Sequence, residues 1–133
     1  MMLVMDANVL FSALIKNSVT AELIFEDSIE LYACDFIIEE FFKYEELILK
    51  KTKRTKEEFV QIMHLLKDII TVIPQEEYVE FMEEAENISP DDKDAAYLAL
   101  AIKLKSGLWS NDKKLKQQDK VTIYSTSDLM KLF

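Results

Sequence analysis

Five short apolar runs, at residues 3–6, 30–33, 70–73, 107–110 and 121–124, recur along the chain with helical patterns between them. Parallel strands need crossover connections of a dozen or more residues, usually helical, so this alternation restricts the chain to a parallel α/β sheet. Helical periodicity covers residues 8–16, 20–27, 35–51, 55–68, 76–86 and 90–105, with a short terminal turn near Ser127. Two helix starts carry explicit signals. Thr55 and Glu58 have capping-box spacing, and Ser89-Pro90-Asp91-Asp92 reads as an N-cap, a proline at the first helical position and an acid at the third.

At 133 residues the chain fits a single domain, residues 1–133, that buries about two thirds of its unfolded surface. Half its residues are apolar and one is glycine, which argues against linkers and disorder. Cys34, alone of its kind, excludes a disulfide framework and a zinc cluster. The start Met1-Met2-Leu3-Val4-Met5-Asp6 is too short and too soon charged for a signal peptide. No apolar run approaches the roughly 20 residues that cross a bilayer, so a cytoplasmic protein away from membranes is expected.

Ligands of parallel sheets bind beyond the carboxyl ends of the strands. Asp6 and Asp112 each follow a predicted strand. On the 35–51 pattern the apolar face centres on Ile37, Phe41, Tyr44 and Ile48. Glu39 projects with Lys43 and Glu46 to the wet side, whereas Glu40 falls at the edge of the apolar face and is the better ligand. Asp94 opens the segment Asp94-Ala95-Ala96-Tyr97-Leu98-Ala99-Leu100-Ala101, apolar almost all round, where a carboxylate needs a partner or a polar cleft. Carboxylates that converge to about 4 Å repel by about 4 kcal/mol per pair at an effective dielectric of about 20 unless a cation intervenes. The four acids therefore suggest a site for a hard divalent metal and hydrolysis of a phosphodiester.

Each acid has a plainer reading. Asp6 and Asp112 suit helix N-caps, and Asp91 and Asp92 lie where a helix dipole alone explains them. Trp109 and Cys34 read as core, His64 as an interfacial or partly buried histidine, and Phe36, Phe41, Phe42 and Tyr44 as packing rather than base-stacking residues. The stripe Phe59, Ile62, Met63, Leu66 and Ile69 is fit to bury against a second subunit. The net charge of −9 opposes nucleic-acid binding, which lysine and arginine drive. One basic run, Lys50, Lys51, Lys53, Arg54 and Lys56, lies on a helix end; the other, Lys113, Lys114, Lys116 and Lys120, follows Asp112 and is placed for phosphate contact.

Met5-Asp6-Ala7-Asn8-Val9-Leu10, Phe36-Ile37-Ile38-Glu39-Glu40, the Asp94–Ala101 segment and Trp109-Ser110-Asn111-Asp112-Lys113-Lys114-Leu115, in that order, resemble the PIN-domain ribonucleases, which include the VapC toxins of VapBC toxin–antitoxin systems. The resemblance implies a three-layer sandwich with a central parallel sheet of four to five strands flanked by helices, often dimeric. It implies Mg²⁺ or Mn²⁺ held by Asp6, Glu40, Asp94 and Asp112, with Asn8 and Ser110 as supporting polar residues. The reaction expected is metal-dependent endonucleolytic cleavage of single-stranded RNA, with Lys113, Lys114 and Lys116 as RNA contacts, a homodimer, and an antitoxin as a possible partner. Asp6 and Asp94 would hold one cation that activates water, and a second would lie near Asp112 or come with the substrate. Two rivals stand beside this reading. A phosphoaspartate enzyme or receiver domain lacks its paired acids, since Ala7 and Asn8 follow Asp6. A non-catalytic PIN-fold module that binds RNA or protein would normally have lost one or more of the four acids.

Overall fold

The computed structural model describes residues 1–16 and 19–133. Met2-Leu3-Val4-Met5 forms β1 (Met2–Met5), and its last three side chains are fully buried. Burial without alternation is the signature of a strand covered on both faces, and β1 is the middle strand of the sheet. It pairs in parallel with β2 (Glu30–Cys34) on one side and β4 (Gly107–Trp109) on the other. Beyond them lie β3 (Ile70–Ile73) and β5 (Ile123–Tyr124), giving the all-parallel order β3-β2-β1-β4-β5. Helices flank this sheet in an α/β sandwich, as the alternation of elements predicts. Gly107 sits opposite Leu3, and a Cβ there would stand 2.6 Å from the Tyr124 ring. The chain's one glycine is thus spent on close packing between strands.

The first crossovers are α1 (Ala7–Lys16) and α2 (Val19–Ile24). The stretch 35–51, expected as one helix, is two: α3 (Phe36–Lys43) and α4 (Glu45–Thr52), broken at Tyr44 with φ −101° and ψ 16°. Phe41 and Ile48 stay buried, as the face analysis predicts, but the break leaves Tyr44 41% exposed. α5 (Lys56–Ile69) starts on the predicted capping box: the Thr55 hydroxyl accepts the Glu58 N–H, and the Glu58 carboxylate accepts the Thr55 N–H. Its stripe of Phe59, Met63 and Leu66, which the pattern makes fit for a second subunit, buries in the core of its own chain. His64 is solvent-exposed rather than partly buried, being on the opposite side of that helix.

The 76–86 helix forms only in part. Two 3₁₀ turns, Gln75–Glu77 and Val79–Phe81, precede α6 (Met82–Ile88). Tyr78 between them is buried and donates its hydroxyl to Asp35, and the Gln75 N–H donates to the same carboxylate, so this segment is bound to the end of β2. Nor does a helix begin at Pro90. Asp91 caps a 3₁₀ turn (Asp92–Asp94) by accepting the Lys93 N–H at 3.0 Å, and α7 (Ala95–Leu104) follows, with Ala95 and Tyr97 through Ala101 buried. The proline precedes the cap instead of following it. A further 3₁₀ turn, Lys113–Gln117, and α8 (Thr126–Leu132) flank β5. Trp109 and Cys34 are core, as expected. Among the described residues no helix is long and apolar enough to cross a membrane.

Candidate functional site

Asp6 leaves the carboxyl end of β1, and its N–H donates to the Trp109 carbonyl at 3.2 Å, extending the β1–β4 pairing by one residue. That bond sets Asp6 beside Ser110, the residue after β4. Ser110 is 1% exposed, and its hydroxyl joins two of the acids: it bonds the Asp6 carboxylate and accepts the Asp112 N–H at 3.1 Å. The Asp6 carboxylate also accepts the Val9 N–H at 2.9 Å and an N–H bond from the Asn8 backbone. Asp6 is therefore an N-cap as well as a cleft residue. Burial raises its pKa and the Asp112 charge adds to the rise, while the Ser110 and backbone hydrogen bonds oppose it. The Asn8 side chain is exposed, so Asn8 steadies Asp6 through its main chain.

Asp112 likewise caps its turn, accepting the Lys114 N–H at 3.0 Å. Asp94 differs from both. It occupies the N-cap position of α7 yet makes no capping bond with its side chain. Burial, then the charges of Asp112, Asp91 and Asp6, push its pKa up to about 6. Three aspartates from separate parts of the chain thus lie within range of one another's charge, Asp6 and Asp112 just beyond β1 and β4. The described residues' ion pairs, Lys116–Asp128 and Lys120–Glu84, involve none of them.

Glu40 stands at the rim. It is half-buried while Glu39 is exposed, matching the predicted difference between the two. It lines a groove with Ala7 and Asn8, whereas Glu39 faces hollows near Asp35 on another side of α3. Of the four acids, Asp6, Asp94 and Asp112 feel one another's charge; Glu40 is felt by Tyr97, which also feels Asp6. Among the described residues no group of three or more His, Cys, Asp or Glu side chains stands close enough together to hold a metal ion as the side chains are placed. Lys113 and Lys114 are exposed beside Asp112, and Lys116 is drawn into its ion pair.

Tyr97 carries a role the sequence reading missed. Its hydroxyl accepts the Ala7 N–H at 3.4 Å, and its ring lies tilted on Phe36, with centroids 5.6 Å apart. Burial raises its pKa, as do the negative charges of Asp6 and Glu40. The available signal was its spacing: a polar tip three residues past Asp94 on an otherwise apolar helix.

The class defined by this architecture is a parallel α/β domain with its carboxylates over the ends of the central strands. A PIN-domain family profile matches residues 4–126, and the chain belongs to that family. Its fold is similar to that of a chain in the crystal structure of VapBC2 from Rickettsia felis bound to a DNA fragment from their promoter. That match has a TM-score of 0.64 and 17% identity, and covers 94% of this chain and 98% of that one. No curated protein matches the sequence.

Proposed function

We propose that this PIN-domain protein is a metal-dependent endoribonuclease that hydrolyses single-stranded RNA in the cytoplasm. One observation carries the proposal: Asp94, uncommitted to any cap, has its pKa lifted to about 6 by burial and by the charges around it. An acidic cluster that no ion pair among the described residues neutralises, with Lys93 only partly offsetting the charge at Asp94, is costly as it stands and suits a cation. The candidate donors are all carboxylate oxygens from separate elements, a chemistry that suits Mg²⁺ or Mn²⁺ retaining several waters; the side chains would have to draw together on the ion, since as placed no three of them form a metal-holding group.

Asp6, Asp94 and Asp112 would hold the ion, with Glu40 acting from the rim directly or through water. When bound, such an ion supplies Lewis-acid activation of water and neutralises charge on the phosphate. The chain's own residues supply placement. Ser110 fixes the Asp6 carboxylate and the Asp112 backbone to one another, Tyr97 ties the start of α1 to α7, and Lys113 and Lys114 meet the phosphates of the strand. No side-chain nucleophile is needed, and buried Cys34, with its thiol pushed up to about 12, is unsuited to be one.

The similarity of fold to a VapBC2 chain supports a VapC-like toxin with an antitoxin partner. A homodimer extends the same reading. The test is cleavage of single-stranded RNA with Mg²⁺ or Mn²⁺, by the wild type and by Asp94→Asn. Cleavage that needs the metal and vanishes in the variant is expected. Equal activity in a folded Asp94→Asn protein overturns these roles, and RNA binding without cleavage leaves a non-catalytic module.

A further inference from the structure

Beside the aspartates lies a groove that the acid chemistry does not use. Ala7, Asn8, Phe11, Glu40, Tyr44 and Leu47 line it, and its volume is about 330 Å³. It adjoins the acidic site along the chain, because Ala7 and Asn8 follow Asp6 directly, and Tyr97 feels the charges of both Asp6 and Glu40. Its floor is aromatic. Phe11 is anchored by a tilted contact with buried Phe41, ring centroids 5.2 Å apart, and meets Tyr44 edge-on at 5.8 Å and 68°.

Tyr44 does not behave as a core residue. In an unbroken helix it belongs to the apolar row of Ile37, Phe41 and Ile48, all fully buried; the break after Lys43 leaves it 41% exposed, with Leu47 beside it at 44%. The Tyr44 N–H still donates to the Glu40 carbonyl at 3.0 Å, so the ring sits one turn beyond Glu40. Lys43 Nζ lies 5.6 Å from the centre of that ring. An aromatic floor, the exposed Asn8 amide with a donor and an acceptor, and a lysine over one face of Tyr44 that leaves the other face for stacking are together the features of a seat for a flat heterocycle attached to a phosphate.

We infer that this groove seats one unpaired nucleobase, stacked on Tyr44, of the strand whose scissile phosphate lies at the aspartates. The inference rests on the nuclease reading and adds a positioning residue to it. A wholly apolar groove would suit an aliphatic side chain of a partner protein equally well. The polar rim and the place of Ala7 and Asn8 immediately after Asp6 favour a nucleotide.

The test uses single-stranded heptaribonucleotides carrying one 2-aminopurine, moved position by position. Each is mixed in Mg²⁺ with wild type, Tyr44→Phe or Tyr44→Leu, the last keeping apolar bulk without a π-face. Fluorescence quenching is read before cleavage, and product formation separately. Quenching at one position is expected for wild type and Tyr44→Phe. In Tyr44→Leu the quench is lost and KM rises about tenfold, the effect of removing one stacked base. Wild-type quenching and KM in Tyr44→Leu overturn the inference, as does a change confined to its sedimentation, which assigns the groove to a second copy of the chain. Quenching without product overturns the nuclease reading alone, whereas product without quenching at any position overturns the base seat alone.

Discussion

Asp94 is where charge, burial and backbone conflict most. Its folded pKa of about 6 stands above the roughly 3.9 of an unfolded aspartate, so the proton it keeps favours the folded state below about pH 4. That contribution is lost as pH rises through 6. At pH 7 the ionised carboxylate therefore costs stability, about 1 kcal/mol after discounting for its partial exposure. Asp94→Asn should raise the melting temperature by about 3 °C at pH 7 and leave it unchanged near pH 4, as thermal unfolding at the two pH values will reveal. Gly107→Ala should act oppositely. Its methyl meets the Tyr124 ring and Leu3, at a cost of about 1–3 kcal/mol by denaturant titration. The structural settings of individual acids were readable from sequence because a residue after a strand, or an acid on an apolar helix, has few ways to be satisfied. Those of Tyr44 and Tyr97 were not, because their roles depend on which neighbour stands across a gap.

At the scale of elements, helix starts were legible where a side chain caps them and obscure elsewhere. The Thr55–Glu58 box formed as its spacing predicts, and Thr55→Ala should cost about 1 kcal/mol. The break at Tyr44 involves neither glycine nor proline in Lys43-Tyr44-Glu45-Glu46, so no local residue announced it. At Ser89-Pro90-Asp91 two capping patterns competed for one start. Asp91 won by bonding its own turn, which delayed α7 to Ala95. Helix ends show the reverse economy. α4 and α7 finish in left-handed residues, Lys53 at φ 58° and Lys105 at φ 55°, where glycine is the usual occupant. Lys105→Gly should therefore raise stability by about 1 kcal/mol in chemical denaturation, since it removes a Cβ from strained backbone.

Over the whole molecule, the parallel sheet followed from strands alternating with helices, but their order did not. The order β3-β2-β1-β4-β5 depends on which strand docks beside β1 on each side, a choice among similar short apolar runs. The balance of −9 also acts at this scale. Neutralising the acids should stabilise the folded protein by mass action. Mn²⁺ should raise the melting temperature of the wild type progressively with concentration and move that of Asp94→Asn much less; equal rises in both would place the ion elsewhere.

The β1–β4 ladder also bears on timing during synthesis. Asp6 and Asp112 meet only once Trp109 has accepted the Asp6 N–H, a closure spanning about a hundred residues and slow for that reason. A chain made only as far as β3 holds its first aspartate without the other two. Opening of that one strand edge would part Asp6 from Ser110 and Asp112 together, so the acidic cluster persists only as long as the central sheet stays zipped.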